Sequence, residues 1–556
     1  MPIIQIPSQE YKFSGLHKGE IFGNIWASRG IDFEREKGKI MLGDSFSSLF
    51  NSSSGDTDLT TPVAFLRSSA DGTDRWWVNG GKLFKTTNTN PETGWTQDAI
   101  GSSPTAPLYD LIDFAGAMLV PTSTNIDRLS TTWTTNWWTV TAGGSAMTTA
   151  PHRMSILAGA LLITDGRFIN TWDGTLVADP DLTLPAVFES YDCLISGDFA
   201  YIYGRNTDGT ETAVYTWDRT STAYNDKFPV GDVEVLAGFV VYGIPHIITK
   251  KGEIKRFTGQ GFRTVQQFPN VELGFPIADI NPRGVVVDNN IVKILVRFGA
   301  SSTWIPTLQS QRIVDGIWTF DAESLNLTHT NGLAIGTDYS QGELTAVGAM
   351  KYTNPTQGRY LVGARAYTVY TETSLYAIFS SDEESTSTRG YFITPKIPTS
   401  SIRAFFKQLQ IQIRRLDTSS DRVRVLYRIQ ESNALPAYET ITWASSTTFT
   451  AANSDIVAGN FVEVIAGPNA GAIAKISTYT GGTVTLDLTL NSSTSAGRVR
   501  YLNFIDLGTI SSQTLQNTLF RISRRSEWIQ FLIELRGTET SPQFERALLD
   551  FDNLPL

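Results

Sequence analysis

Ile156-Leu157-Ala158-Gly159-Ala160-Leu161-Leu162-Ile163, followed by Arg167-Phe168-Ile169-Asn170-Thr171-Trp172-Asp173-Gly174, is the passage on which the fold turns. Two short apolar runs meet at a glycine, and a third, more polar run ends in an aromatic. Short β-prone runs punctuated by turn residues read as antiparallel strands. The phrase recurs at Phe114-Ala115-Gly116-Ala117-Met118-Leu119-Val120, at Leu194-Ile195-Ser196-Gly197-Asp198-Phe199-Ala200-Tyr201-Ile202, and at Val235-Leu236-Ala237-Gly238-Phe239-Val240-Val241-Tyr242. With Gly116, Gly159, Gly197 and Gly238 as the turn glycines, the spacings are 43, 38 and 41 residues. Trp133, Trp172 and Trp217 follow by half a repeat in three cases, and Phe257 takes that place in the fourth.

A fixed period of this length is the mark of four-stranded propeller blades. One blade cannot bury both of its faces, and radial stacking covers them. Weaker copies extend the array: Trp76-Trp77-Val78-Asn79-Gly80-Gly81-Lys82-Leu83-Phe84 upstream, then Val285-Val286-Val287-Asp288-Asn289-Asn290-Ile291-Val292 and Gly358-Arg359-Tyr360-Leu361-Val362 downstream. The expected fold is all-β, with a propeller of about seven blades over residues 59–395. The competing reading is a set of unrelated hairpins in a β-sandwich. The N-terminal segment, residues 1–58, is expected to help close the ring, through Ile21–Gly30 in particular.

After the polar run Ser380-Ser381-Asp382-Glu383-Glu384-Ser385-Thr386, read as a loop, the grammar changes. Leu409-Gln410-Ile411-Gln412-Ile413, Arg422–Ile429 and, with one apolar exception, Ile529–Arg536 alternate apolar and polar residues, the period of strands with one face in water. They predict an antiparallel β-sandwich over 396–440 and 501–556. Residues 441–500 are expected to be an inserted small SH3-like barrel. Its phrase Gly459–Ile476 resembles the KOW-type motif, but with one Lys and no Arg it is read as structural rather than as a nucleic-acid module.

The chain of 556 residues is 41% hydrophobic and 18% charged, with 45 Lys plus Arg against 55 Asp plus Glu, a net charge of −10. That is apolar material for a large core and a poor balance for clamping phosphate. The single cysteine, Cys193, excludes intrachain disulfides and sites built from several thiolates. No secretory signal and no apolar run long enough to span a membrane are visible.

Chemistry-bearing patterns are sparse. His17, His152, His246 and His329 show no metal-ligand spacing. Ser69-Ala70-Asp71-Gly72-Thr73-Asp74-Arg75-Trp76 resembles the Asp-box turns of sialidase-like propellers, with its Gly one place early, and Asn206-Thr207-Asp208-Gly209-Thr210 resembles a fragment of one; in that family such boxes are structural turns. Asp382-Glu383-Glu384 reads as a solvated run rather than a Ca²⁺ site. No catalytic, cofactor or metal residue is assigned, and the chain is expected not to be an enzyme. Trp76-Trp77 and Trp137-Trp138 are the residues to consider if the propeller binds or cleaves glycans, although core filling explains them better. Basic residues concentrate at Arg414, Arg415, Arg422, Arg424 and Arg428, with Arg521, Arg524 and Arg525 nearby, and are read as a subunit-docking face.

The phrase Arg29-Gly30-Ile31-Asp32-Phe33-Glu34-Arg35-Glu36-Lys37-Gly38-Lys39-Ile40 and the closing strands Trp528–Gly537 and Phe544–Phe551 resemble tail structural proteins of tailed bacteriophages, above all the nozzle proteins of short-tailed phages. The resemblance implies a homo-oligomeric, usually six-fold ring in the virion tail, assembled in the host cytoplasm. It implies contacts with tail adaptor and tail fibre proteins, and double-stranded DNA passing through without specific binding. An acidic wall suits that, because it repels phosphate. The other expectations are a glycan-directed propeller, and a hub or receptor-binding protein of a longer-tailed phage.

Overall fold

A computed structural model describes residues 3–6, 25–33, 39–51, 61–68, 75–79, 82–86, 95–97, 108–130, 132–298, 314–333, 344–352, 359–367, 374–386, 388–398, 403–414, 416–430, 439–452, 456–465, 471–490, 496–513, 517–537 and 541–553. Within them lie seven four-stranded antiparallel meanders, at 66–97, 112–134, 154–183, 188–229, 235–267, 285–331 and 344–386; the last takes its fourth strand, Asp44–Asn51, from the N-terminal region. Each meander is apolar on both faces and packs on its neighbours. Leu119 and Ile126 of the second meet Leu161 and Trp172 of the third. Leu162 and Ile169 of the third meet Phe188 and Trp217 of the fourth. Tyr203 of the fourth meets Val235 and Ile247 of the fifth, and Phe239 of the fifth lies with Trp318 and Phe320 of the sixth. Leu295 and Ile317 of the sixth meet Val362 and Phe379 of the seventh. The ring closes where Leu66 and Phe84 of the first share one core with Met118 of the second and Leu361 and Ile378 of the seventh. The chain therefore carries a seven-bladed β-propeller.

The repeating glycine phrase is the hairpin between the first two strands of a blade. Ala158 and Gly159 sit at φ +48° and +74°, and Tyr242 and Gly243 at +51° and +75°, paired left-handed residues that match the twist of the strands they join. The turn of the fourth repeat is thus Tyr242-Gly243. Gly238, read as its turn, lies inside the strand Val235–Val241, where a Cβ would stand 2.7 Å from Leu194 of the neighbouring blade. It serves close blade packing instead. Trp172, Trp217 and Phe257 end the third strands of their blades, whereas Trp133 opens a fourth strand. A Cβ on Gly159 would meet nothing within 4 Å. Gly159→Ala should therefore lower stability by about 1 kcal/mol through backbone strain alone, measurable by denaturant unfolding.

Two packed sheets follow. One orders Ile3–Ile6, Phe544–Asn553, Ala404–Ile413 and Asn517–Ser526. The other orders Ala27–Arg29, Arg389–Ile393, Trp528–Arg536, Arg422–Ile429 and Ile505–Ile510. Three sequence assignments change. Ala27–Arg29 pairs with Tyr391–Ile393 in the sandwich, so the strand that closes the propeller lies further along, at Asp44–Asn51. Arg389–Ile393 belongs to the sandwich rather than to the propeller. The polar run 380–386 is the end of a strand, Ser374–Thr386, paired with that closing strand. Six strands between Glu439 and Leu502 form a closed barrel inserted into the second sheet.

The barrel explains why alternation holds in one sheet and fails in the other. In Ala404–Ile413 buried and half-buried residues alternate over most of the length. In Trp528–Arg536 every residue from Ile529 to Leu535 is buried. Phe531, Ile533 and Leu535 face the sandwich core, while Leu532 faces the barrel with Leu426, Phe461 and Leu502. Gln530 and Glu534 are polar residues buried on that covered face. They are satisfied by Arg428 Nε at 2.6 Å and by Arg536 Nε at 2.9 Å, respectively.

Candidate functional site

The five arginines expected to form a docking face do not share one fate. Arg422 is exposed at the start of its strand, and Arg414 is exposed with Nη1 3.3 Å from Gln543 Oε1. Arg415 lies outside the described residues. Arg424 is spent within the chain, 2.6 Å from Asp487 of the barrel. Arg428 is buried over the rings of Trp26 and Phe504, and burial pushes its guanidinium down to about 10. These two are corrections: outward alternation fails for them because the barrel covers that face. Arg521, Arg524 and Arg525 are exposed on Asn517–Ser526, an edge strand with a bulge opposite Phe406–Gln408 and Ser523 at φ +51°. Charge and a bulge are devices that keep an edge from pairing indiscriminately.

The other singled-out residues hold structure. Trp137 and Trp138 are buried between the second and third blades, with Trp137 4.6 Å from Trp172. The side chains of Trp76 and Trp77, and His17, lie outside the described residues. His152 is buried with its ring nitrogens 2.9 and 3.0 Å from the carbonyls of Thr164 and Ser123. His246 stacks on Phe239, and burial pulls it down to about 4. Asp208 takes the Thr210 N–H and hydroxyl, the role of a turn residue. Cys193 is buried, which raises its thiol pKa. Among the described residues no group of three or more His, Cys, Asp or Glu could hold a metal ion, and no helix is long and apolar enough to cross a membrane.

The strongest constellation escaped the sequence reading. Arg283 precedes the first strand of blade six and reaches Asp110, at the entry to blade two, and Asp192, in the first strand of blade four. Blades two and six stand three steps apart in a seven-membered ring, so their side chains meet only at its centre. Arg283 grips Asp110 with Nε at 3.1 Å and also with Nη2, and its Nη1 is 2.6 Å from Asp192. Arg67 Nη2 of blade one is 3.5 Å from Asp110. Arg153 of blade three donates to Tyr109 O at 3.3 Å and to Asn281 Oδ1 at 3.4 Å. Burial opposes the charge of Asp110, but Arg283, then Arg67 and Arg153, hold its carboxyl well below the usual carboxylate range. Burial likewise opposes the charge of Arg283, and the two aspartates raise its pKa overall. The cluster ties five blades together at the axis.

A second buried network welds the modules. Glu463 of the barrel lies 3.7 Å from Arg29 and 3.6 Å from Arg500, and accepts the Tyr391 hydroxyl at 2.9 Å. Gly471 leaves room there, since a Cβ would strike the Arg29 guanidinium. One residue on, the Gly30 N–H donates to His329 Nδ1 at 3.1 Å, while His329 Nε2 is 3.1 Å from Asp315 O. The ring is thereby the neutral tautomer with its proton on Nε2. Arg29 and Gly30, which open the phrase that carried the phage resemblance, thus join sandwich, barrel and blade six.

Burial, then the neighbouring Arg29, lowers the His329 pKa to about 3 from the ordinary 6.5. A depressed basic group contributes stability that is complete above its unfolded pKa and lost as pH falls towards the folded value. Acidification from pH 7 to 5 should therefore cost about 2 kcal/mol through His329. His329→Gln should show a shallower loss over that window in denaturant titrations at each pH.

No family model and no curated protein matches this chain. Among solved structures, the WD40 repeats of RRP9 align at TM-score 0.42 and 10% identity, over 61% of this chain and 99% of that one. YCF48 from Cyanidioschyzon merolae aligns at 0.38 and 12%, over 61% and 98%. The luciferin-regenerating enzyme aligns at 0.34 and 8%, over 62% and 97%.

Proposed function

We propose that this protein is a structural subunit of a phage tail. In this reading it assembles into a closed ring around a channel for double-stranded DNA, as nozzle proteins of short-tailed phages do. The observation that carries the reading is the arginine-bearing edge strand Asn517–Ser526, which pairs on one side only among the described strands. It is exposed at Leu519, Arg521, Arg524 and Arg525, on a chain whose net charge is −10. A cyclic ring needs two unlike complementary surfaces on each subunit. A basic edge facing the acidic remainder of a second copy supplies such a pair. The propeller, plugged at its axis and welded to the sandwich, fits a rigid wall element better than a moving part. Adaptor and fibre proteins would then meet the two rims of the ring.

The test is the assembly state. Purified protein should form a ring with an open bore in negative-stain images. Arg414→Glu, Arg422→Glu, Arg521→Glu and Arg525→Glu together should shift it towards monomers in native mass spectrometry, with an unchanged circular dichroism spectrum. A wild-type monomer that binds a glycan array would overturn the proposal in favour of a glycan-directed propeller.

A further inference from the structure

Among the described residues the axial cluster is not neutral. Three guanidinium groups, Arg67, Arg153 and Arg283, face two carboxylates, Asp110 and Asp192. The surplus falls on Arg153. Among the described residues its side chain touches no carboxylate at ion-pair distance, only Tyr109 O and Asn281 Oδ1, and its Nε is buried with no hydrogen-bond partner. Arg153 is 8% exposed, so water does not stabilise it as it would a surface cation. Burial and the proximity of Arg283 push its pKa down, the signature of a cation short of negative charge. A further polar atom of the cluster, Arg67 Nε, is also buried without a partner among the described residues. The side chain of Arg67 is 38% exposed and that of Arg283 17%, so the cluster opens to solvent on the side of blades one and six.

We propose that this end of the propeller axis is a binding site for one small carboxylate anion, held by Arg153 and Arg67. One negative charge balances the three arginines and two aspartates. A planar carboxylate suits guanidinium groups, which donate in a flat fork. The site is independent of the ring-subunit reading, since it lies wholly inside one propeller.

The test uses the full chain and sodium acetate at constant ionic strength, with sodium fluoride as the replacement salt. Saturable broadening of the acetate methyl resonance, accompanied by a rise in melting temperature with acetate concentration, is the expected result. Arg153→Met removes the surplus charge and its repulsion with Arg283. It should keep a cooperative melt in fluoride, yet lose the acetate response at least tenfold. Arg67→Gln, on the solvent side, should fold normally and weaken acetate binding by a similar factor. An Arg153→Met protein that still responds to acetate like the wild type would overturn the proposal. So would a wild type that acetate and fluoride stabilise equally.

Discussion

Replacing Arg283 by methionine should destabilise the propeller by about 5 kcal/mol or more. The guanidinium answers two carboxylates that are themselves almost wholly buried, Asp110 and Asp192, and it reaches them from the opposite side of the ring. Methionine fills much of the volume and supplies no charge. Two buried carboxylates then face only the weaker partners Arg67 and Arg153. Removing one member of a buried ion pair typically costs about 3–5 kcal/mol, because the partner stays desolvated and unpaired. With two aspartates orphaned, a loss at or above the upper end is expected in guanidinium unfolding. The triple change Arg283→Met, Asp110→Asn, Asp192→Asn should recover most of it, since no buried carboxylate is left unanswered. If Arg283→Met unfolds at the wild-type midpoint, the axial cluster does not hold the ring together.

Removal of residues 1–51 should abolish the closed propeller. That segment supplies the strand Asp44–Asn51, which completes the seventh blade, and also the sandwich strands Ile3–Ile6 and Ala27–Arg29. Asp44 further pairs with Lys293 of blade six at 3.2 Å, and both side chains are nearly buried. Burial opposes the Lys293 charge, and Asp44 is the first of the groups that hold it. The truncated chain should lose its cooperative melt and become sensitive to limited proteolysis. A point variant isolates the propeller contribution. Phe46 is 2% exposed between Leu344 and Phe379 of blade seven and Leu295 of blade six, and Phe46→Ala should cost about 3–5 kcal/mol. A truncated protein that melts like the full chain would show that closure does not need the N-terminal strand.

The sequence by itself determined the repeat. Paired left-handed turn residues and apolar strands are local features, and a period near forty residues dictates blades wherever each must be covered on both faces. The barrel insertion and the alternating strand Ala404–Ile413 were legible for the same reason, since the signal lies in neighbouring residues. Only the tertiary structure decided three things. Gly238 and Gly243 look alike in sequence, and the register of the blade determines which one turns. Arg424 and Arg428 stand at positions that face water in a simple half-buried strand, and only the barrel packed on that face puts them inside. Asp110, Arg153, Asp192 and Arg283 lie on different blades, each next to unremarkable neighbours in the chain. Nothing local distinguishes them from surface charges; ring closure brings them to the axis, and burial there makes each charge depend on the others.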